Sequence, residues 1–165
     1  MKNLNQLIEA VKTKVNADRI TTVQELRSLV NQYRGNDWND YLPNESKTPK
    51  TKILLQEEQV KMILVYWRGF QKTQKHGHPE GGGLLKVLTG SLKETRFNPQ
   101  EPDRIIGTNH FFKGAVSYIH DAEAYHIVEN PIPYPAVSLH IYIPGIYTPN
   151  ILALNKPEET RYITA

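Results

Sequence analysis

Met62-Ile63-Leu64-Val65-Tyr66-Trp67 is an unbroken apolar run of strand length, rich in β-branched and aromatic residues. A second run, Leu84-Leu85-Lys86-Val87-Leu88, follows after a stretch rich in glycine. Runs of this length, bounded by turn residues, read as strands with little exposure. Ala136-Val137-Ser138-Leu139-His140-Ile141-Tyr142 is a third candidate, and short strands with Gly, Asn and Pro breaks fill the space between. That spacing suits a β-sandwich or a small barrel.

Ahead of Lys52 the period changes. Leu4, Leu7, Ile8, Val11 and Val15 recur at helical spacing. A second helix is expected from about Thr22, where Thr22 and Glu25 have capping-box spacing. Its buried stripe would be Val23, Leu26, Leu29, Val30 and Tyr33. Both stripes read as core packed against the β-structure. Residues 35–49 are rich in Asn, Asp and Pro and read as a loop. The expected organisation is a helical segment, 1–45, packed on a β-barrel formed by 46–165, as one domain. A chain of 165 residues suits that size.

Composition narrows the partners. The net charge is +3, but the basic residues are dispersed, with one mild cluster from Lys47 to Lys52 and no interleaved aromatics. Nucleic-acid binding is therefore not expected. No apolar run reaches the length of a membrane span. Met1 is followed by Lys-Asn-Leu-Asn-Gln, without a signal-peptide apolar core, so a cytoplasmic protein is expected. There is no cysteine, which excludes a disulfide framework. A monomer or weak homo-oligomer acting on a small molecule is the expectation.

The chemistry lies in the histidines. His76 and His78 stand one residue apart, and side chains at i and i+2 of an extended segment share a face. His126 would have to be brought to them by the fold. Imidazole suits zinc, copper, iron and nickel, and the absence of cysteine makes a closed structural zinc site unattractive. Taken alone, the pair is equally compatible with two polar residues at a strand end. Ser138, His140 and Tyr142 stand at i, i+2 and i+4, so one strand would present them together. Serine fixing histidine and histidine fixing tyrosine is a familiar way to orient groups around a metal. A half-buried strand facing a wet interior would show the same alternation.

Taken in order, the His76/His78 pair, the stretch Gly83–Thr95, the stretch from Tyr118 to Asn130 that contains His126, and Ala136–Pro144 resemble the cysteine dioxygenase family of thiol dioxygenases, within the cupin superfamily. The similarity runs from about Lys52 to about Pro149. It implies a cupin, a small jelly-roll barrel with N-terminal helices, and one Fe(II) per chain held by His76, His78 and His126. Tyr142, His140 and Ser138 match its catalytic tyrosine, histidine and serine, and Trp67 and Gly83 match residues beside the substrate. The implied reaction is oxidation of a small thiol, foremost L-cysteine, to a sulfinic acid with both atoms of O2. Three neutral ligands would leave the full charge on Fe(II), favouring an anionic thiolate. The product is a defined rung of thiol oxidation.

Two departures from the family pattern bear on the site. Animal members carry a cysteine, crosslinked to the tyrosine, where this chain has Gly83, so no such crosslink to Tyr142 can form. The family's carboxylate-binding arginine aligns with Lys52, which keeps the charge but loses the two-pronged geometry. Lys50 and Arg161 are rivals for that role. Glu80, between a proline and three glycines, reads as a loop residue and not a ligand. His110 and His120 are expected in surface or turn positions. The Ile143–Pro144 bond is expected to be cis by resemblance. The open alternatives are a dioxygenase for 3-mercaptopropionate or another thiol, a non-catalytic metal-binding cupin, and a different metal enzyme on the same fold, such as an isomerase.

Overall fold

The computed structural model describes residues 1–42 and 50–147. Helix α1 (Leu4–Asp18) buries Leu4, Leu7, Ile8, Val11 and Val15, the stripe expected from its period. Asn3 caps it, its side chain accepting from the Gln6 N–H. The second helical stretch begins as a tight 3-10 turn, Val23–Leu26, and continues as α2 (Arg27–Asn31). The expected capping box does not form, because the Thr22 hydroxyl bonds the Glu25 carboxylate at 3.3 Å and not a backbone N–H. A further 3-10 turn, Asp37–Tyr41, lies within the expected loop.

Eight strands follow: β1 (Lys50–Gln56), β2 (Lys61–Trp67), β3 (Gly83–Thr89), β4 (Ser91–Phe97), β5 (Ile105–Phe112), β6 (Val116–Ile119), β7 (Tyr125–Glu129) and β8 (Ala136–Tyr142). They form two antiparallel sheets, ordered β1-β2-β8-β3-β6 and β5-β4-β7. The expected mainly β cupin architecture with N-terminal helices is present; among the described residues it takes the form of two facing sheets and not a closed barrel. No helix among these residues is long and apolar enough to cross a membrane.

Strand alternation divides the large sheet into two functional faces. Met62 and Leu64 of β2, Leu84 of β3, and Val137, Leu139 and Ile141 of β8 join the helices in one apolar cluster. Ile63, Val65 and Trp67, with Leu85, Val87, Ala136 and Tyr142, face the small sheet and meet Leu92 of β4 and Val128 of β7. The helices therefore cover one face, and the second face and the small sheet enclose the interior. Lys86 ties the layers together: its buried Nζ donates to the Val30 and Tyr33 carbonyls at 2.8 and 2.9 Å, at the end of α2. The Ile143–Pro144 bond is cis, as the resemblance implied.

Candidate metal centre and active site

His76 and His78 come from the segment after β2, and His126 from β7. The extended pairing expected of the H-x-H segment is reduced to isolated bridges, Lys72 with Glu129 and His76 with His126. The His76 and His126 backbones nevertheless exchange both hydrogen bonds, at 3.1 and 3.2 Å, which fixes one ligand directly beside another. The His126 Nε2 lies 3.0 Å from the Nε2 of His78 and 3.0 Å from that of His76. All three side chains are buried.

The outer nitrogens decide what the inner ones can do. His76 Nδ1 donates to the Gln74 carbonyl at 2.8 Å, and His126 Nδ1 donates to the Glu94 carboxylate at 2.8 Å. Both acceptors lack a proton to give, so each Nε2 is a bare lone pair. Two lone pairs 3.0 Å apart repel unless a cation lies between them. Bonds of about 2.1 Å place two ligands about 3.0 Å apart at right angles and about 3.4 Å apart in a tetrahedron. His126 stands at the right-angle spacing from each of the other two, tighter than a closed tetrahedral zinc site sets. The donor set therefore fits a divalent transition metal, and among the described residues these three could hold it together.

Burial keeps His76 and His126 neutral. His76 is lowered to about 4, first by burial and then by His78. His126 is held well below the ordinary value, again by burial first and then by its two neighbours. An unfolded histidine takes up a proton near pH 6.5, whereas folded His76 resists until about pH 4. The unfolded chain thus binds more protons across this window, and stability falls as pH falls through it. Metal-free protein is expected to lose on the order of 3 kcal/mol from His76 alone between pH 6.5 and 4. Urea denaturation of chelator-treated protein at several pH values measures this, and an unchanged midpoint across the window contradicts it.

Glu94 was not legible in the sequence and is central in the structure. It sits in β4 and is 1 % exposed. Its partners are His126, the Arg96 Nε at 2.8 Å, and more distantly Ser117 and Asn109. Arg96 also donates to the Tyr118 carbonyl at 2.6 Å. The Glu94 carboxylate therefore orients His126 while its charge is met by Arg96, so the site's net charge is little changed. Asp121 plays a looser part at His78. It accepts the His78 N–H at 2.5 Å, and its Oδ1 lies 3.4 Å from His78 Nδ1. Among the described residues that nitrogen has no hydrogen-bond partner.

Ser138, His140 and Tyr142 line the same interior, projecting from β8 as their spacing required. Trp67 Nε1 is 2.8 Å from Ser138 Oγ, Ser138 Oγ is 2.7 Å from His140 Nε2, and His140 Nδ1 is 3.2 Å from Tyr142 Oη. Burial lowers His140 to about 3 and holds the Tyr142 phenol well above its usual range, so both are neutral near pH 7. Tyr147, another group the sequence did not single out, packs its ring on Tyr142 and donates its hydroxyl to the Gly77 carbonyl between the two histidines. A cavity is lined by His78, Gly83, Leu85, His126, His140 and Tyr142. A Cβ on Gly83 would lie 2.7 Å from the His78 ring and 3.4 Å from the Tyr142 ring, so the glycine is what lets β3 approach both.

Two expected site residues stand elsewhere. Trp67 does not line the cavity; it is fully buried behind Ser138. Lys52 is exposed and pairs in register with Leu64, which packs on the helices. Alternation therefore turns it away from the interior face. Arg161 and the Lys50 side chain lie outside the described residues. Glu80 is exposed and His110 is exposed, and His120 sits after β6 with its Nε2 bonded to the Glu80 carbonyl at 2.8 Å.

The family model for cysteine dioxygenase type I matches residues 1–153. The chain belongs to the cysteine dioxygenase type I family. Cysteine dioxygenase type 1 of Danio rerio is 30% identical over 155 residues, covering 87% of this chain and 75% of that protein. The Rattus norvegicus protein of the same name is 27% identical over 159 residues, covering 89% and 77%. Solved structures support the fold. A Klebsiella pneumoniae protein with a double-stranded β-helix domain superposes with a TM-score of 0.54 at 17% identity, covering 67% of this chain and 89% of that one. A cupin superfamily protein of Desulfitobacterium hafniense gives 0.53 at 14% identity, covering 67% and 90%. Membership in the family makes this chain a dioxygenase-type enzyme on a cupin fold with a three-histidine site suited to a metal.

Proposed function

We propose that the protein is an Fe(II)-dependent thiol dioxygenase, with one iron held by His76, His78 and His126, that converts a small thiol, foremost L-cysteine, to its sulfinic acid. The observation that carries this reading is the convergence of three buried histidine Nε2 atoms, with His126 3.0 Å from each of the other two, beside the Ser138-His140-Tyr142 chain. Held by these histidines, Fe(II) would supply the Lewis-acid and redox chemistry that joins a thiolate to dioxygen. The thiol sulfur gains both oxygen atoms, and no further reductant is needed. Tyr142 and His140 are the catalytic groups on the cavity side; Ser138 orients His140. Gly83 leaves the space a side chain would fill, and Leu85 and Ile119 restrict water. The helices within segment 1–45 serve as a brace on the strands within segment 46–165.

Lys52 is not retained as the carboxylate partner, because its side chain lies on the opposite face. Lys61 takes that role in our reading. It is buried, pairs in register with Tyr142 on the interior face, and its Nζ is 3.4 Å from the Tyr147 carbonyl. A point charge is less selective for a carboxylate than a guanidinium, so 3-mercaptopropionate is the second substrate to try.

Iron-loaded protein is expected to consume oxygen with L-cysteine and to form sulfinate in equal amount. Lys61→Met is expected to raise the KM for L-cysteine about tenfold, a typical loss for one charged hydrogen bond, and to leave that for cysteamine unchanged. Equal effects on both thiols would remove Lys61 from substrate binding. Bound iron without oxygen uptake on any thiol would favour a non-catalytic metal-binding cupin.

A further inference from the structure

We infer that the Trp67 indole sets the direction of the hydrogen bonds through Ser138 and His140, so that Tyr142 accepts from His140 and presents its own hydroxyl hydrogen to the cavity. Trp67 Nε1–H can only donate. At 2.8 Å it therefore occupies one lone pair of Ser138 Oγ. Ser138 is fully buried, and the one other partner of its hydroxyl among the described residues is His140 Nε2, at 2.7 Å. If His140 donated to Ser138, the serine hydrogen would be buried with nothing to accept it, at the cost of an unmet donor. Satisfaction of every group requires Ser138 to donate to His140 Nε2. His140 Nε2 is then an acceptor and carries no hydrogen. The hydrogen of the neutral ring lies on Nδ1, 3.2 Å from Tyr142 Oη, and is donated there.

The phenol thus receives a hydrogen bond from behind and has its own hydrogen free for the cavity side, where His78 and His126 also point. Trp67 is a positioning residue: it is remote from the cavity, yet it selects the tautomer that makes Tyr142 a donor. That consequence for catalysis rests on the dioxygenase reading, whereas the tautomer itself does not.

The test is nitrogen NMR of full-length protein labelled with 15N-histidine, both metal-free and loaded with diamagnetic zinc. Native protein is expected to show His140 with hydrogen on Nδ1 and a bare Nε2. A hydrogen on Nε2 in native protein overturns the proposal without any variant. Trp67→Phe frees a lone pair on Ser138, removes the directional bias, and is expected to give a mixture of both tautomers. Its kcat is expected to fall about two- to tenfold, the range of one net hydrogen bond, with KM for the thiol unchanged. A Trp67→Phe protein that is folded and keeps the Nδ1–H tautomer alone also overturns the proposal. A native protein with the expected tautomer that consumes no oxygen would overturn the dioxygenase reading and leave the direction of the chain standing.

Discussion

His126→Ala protein retains no stoichiometric metal after dialysis and has no measurable turnover. In the proposed site His126 is the central ligand, 3.0 Å from each of the other two inner nitrogens and the one supplied by the small sheet. His76 and His78 lie on a single short segment, and without His126 only two of the three proposed ligands remain. The loss exceeds the roughly 10- to 100-fold effect expected when an outer partner of a ligand is removed. The substitution also leaves Glu94 short of a buried hydrogen bond, worth about 1–3 kcal/mol. Metal content per chain and urea denaturation check the two effects separately. A variant with one iron per chain and native activity would exclude His126 as a ligand.

Removal of Glu94 gives the second large effect, and it separates orientation from ligation. Glu94→Gln keeps the shape and one acceptor but no longer matches Arg96, whose Nε lies 2.8 Å from the carboxylate. Metal affinity is expected to fall about 10- to 100-fold, because the one remaining acceptor must serve either Arg96 or His126 and the charge that raises the basicity of His126 is gone. Glu94→Ala also strands Arg96 in a largely buried site, and breaking one side of a buried ion pair costs about 3–5 kcal/mol. Competition with a chromogenic chelator gives the affinity, and denaturation of the metal-free variants gives the stability. Unchanged metal affinity in both variants would assign Glu94 a purely structural part.

The sequence made some of this site legible and hid the rest for physical reasons. Ser138, His140 and Tyr142 could be read as one row because a strand's period of two needs no knowledge of its neighbours. His76 and His78 could be paired by the same rule, although the segment proves to be bridged and not a full strand. Glu94 could not be found that way. It stands in Lys93-Glu94-Thr95-Arg96, which alternates like any solvated strand, and only the pairing of β4 with β7 shows that Glu94 and Arg96 turn inward while Lys93 meets Glu129 outside. Lys52 failed for the complementary reason. Which face it takes depends on the register of β1 against β2, and that register shifts between Ile53 and Leu55. Trp67 was expected beside the site, and its hydrogen-bond partner, Ser138, is set by the β2–β8 pairing.

The helices illustrate the same limit at shorter range. The stripe of α1 matched its period residue for residue. The second stretch has the expected buried Val23, Leu26 and Val30 but opens as a 3-10 turn, because the Thr22 hydroxyl is spent on the Glu25 carboxylate and not on the backbone.

The most direct test of the central claim is turnover of L-cysteine by iron-loaded protein under isotopically heavy dioxygen, with the product read by mass spectrometry. Sulfinic acid in which both oxygens come from the gas is expected, formed only while His76, His78 and His126 are intact. Product carrying one heavy oxygen or none would contradict a dioxygenase at this site.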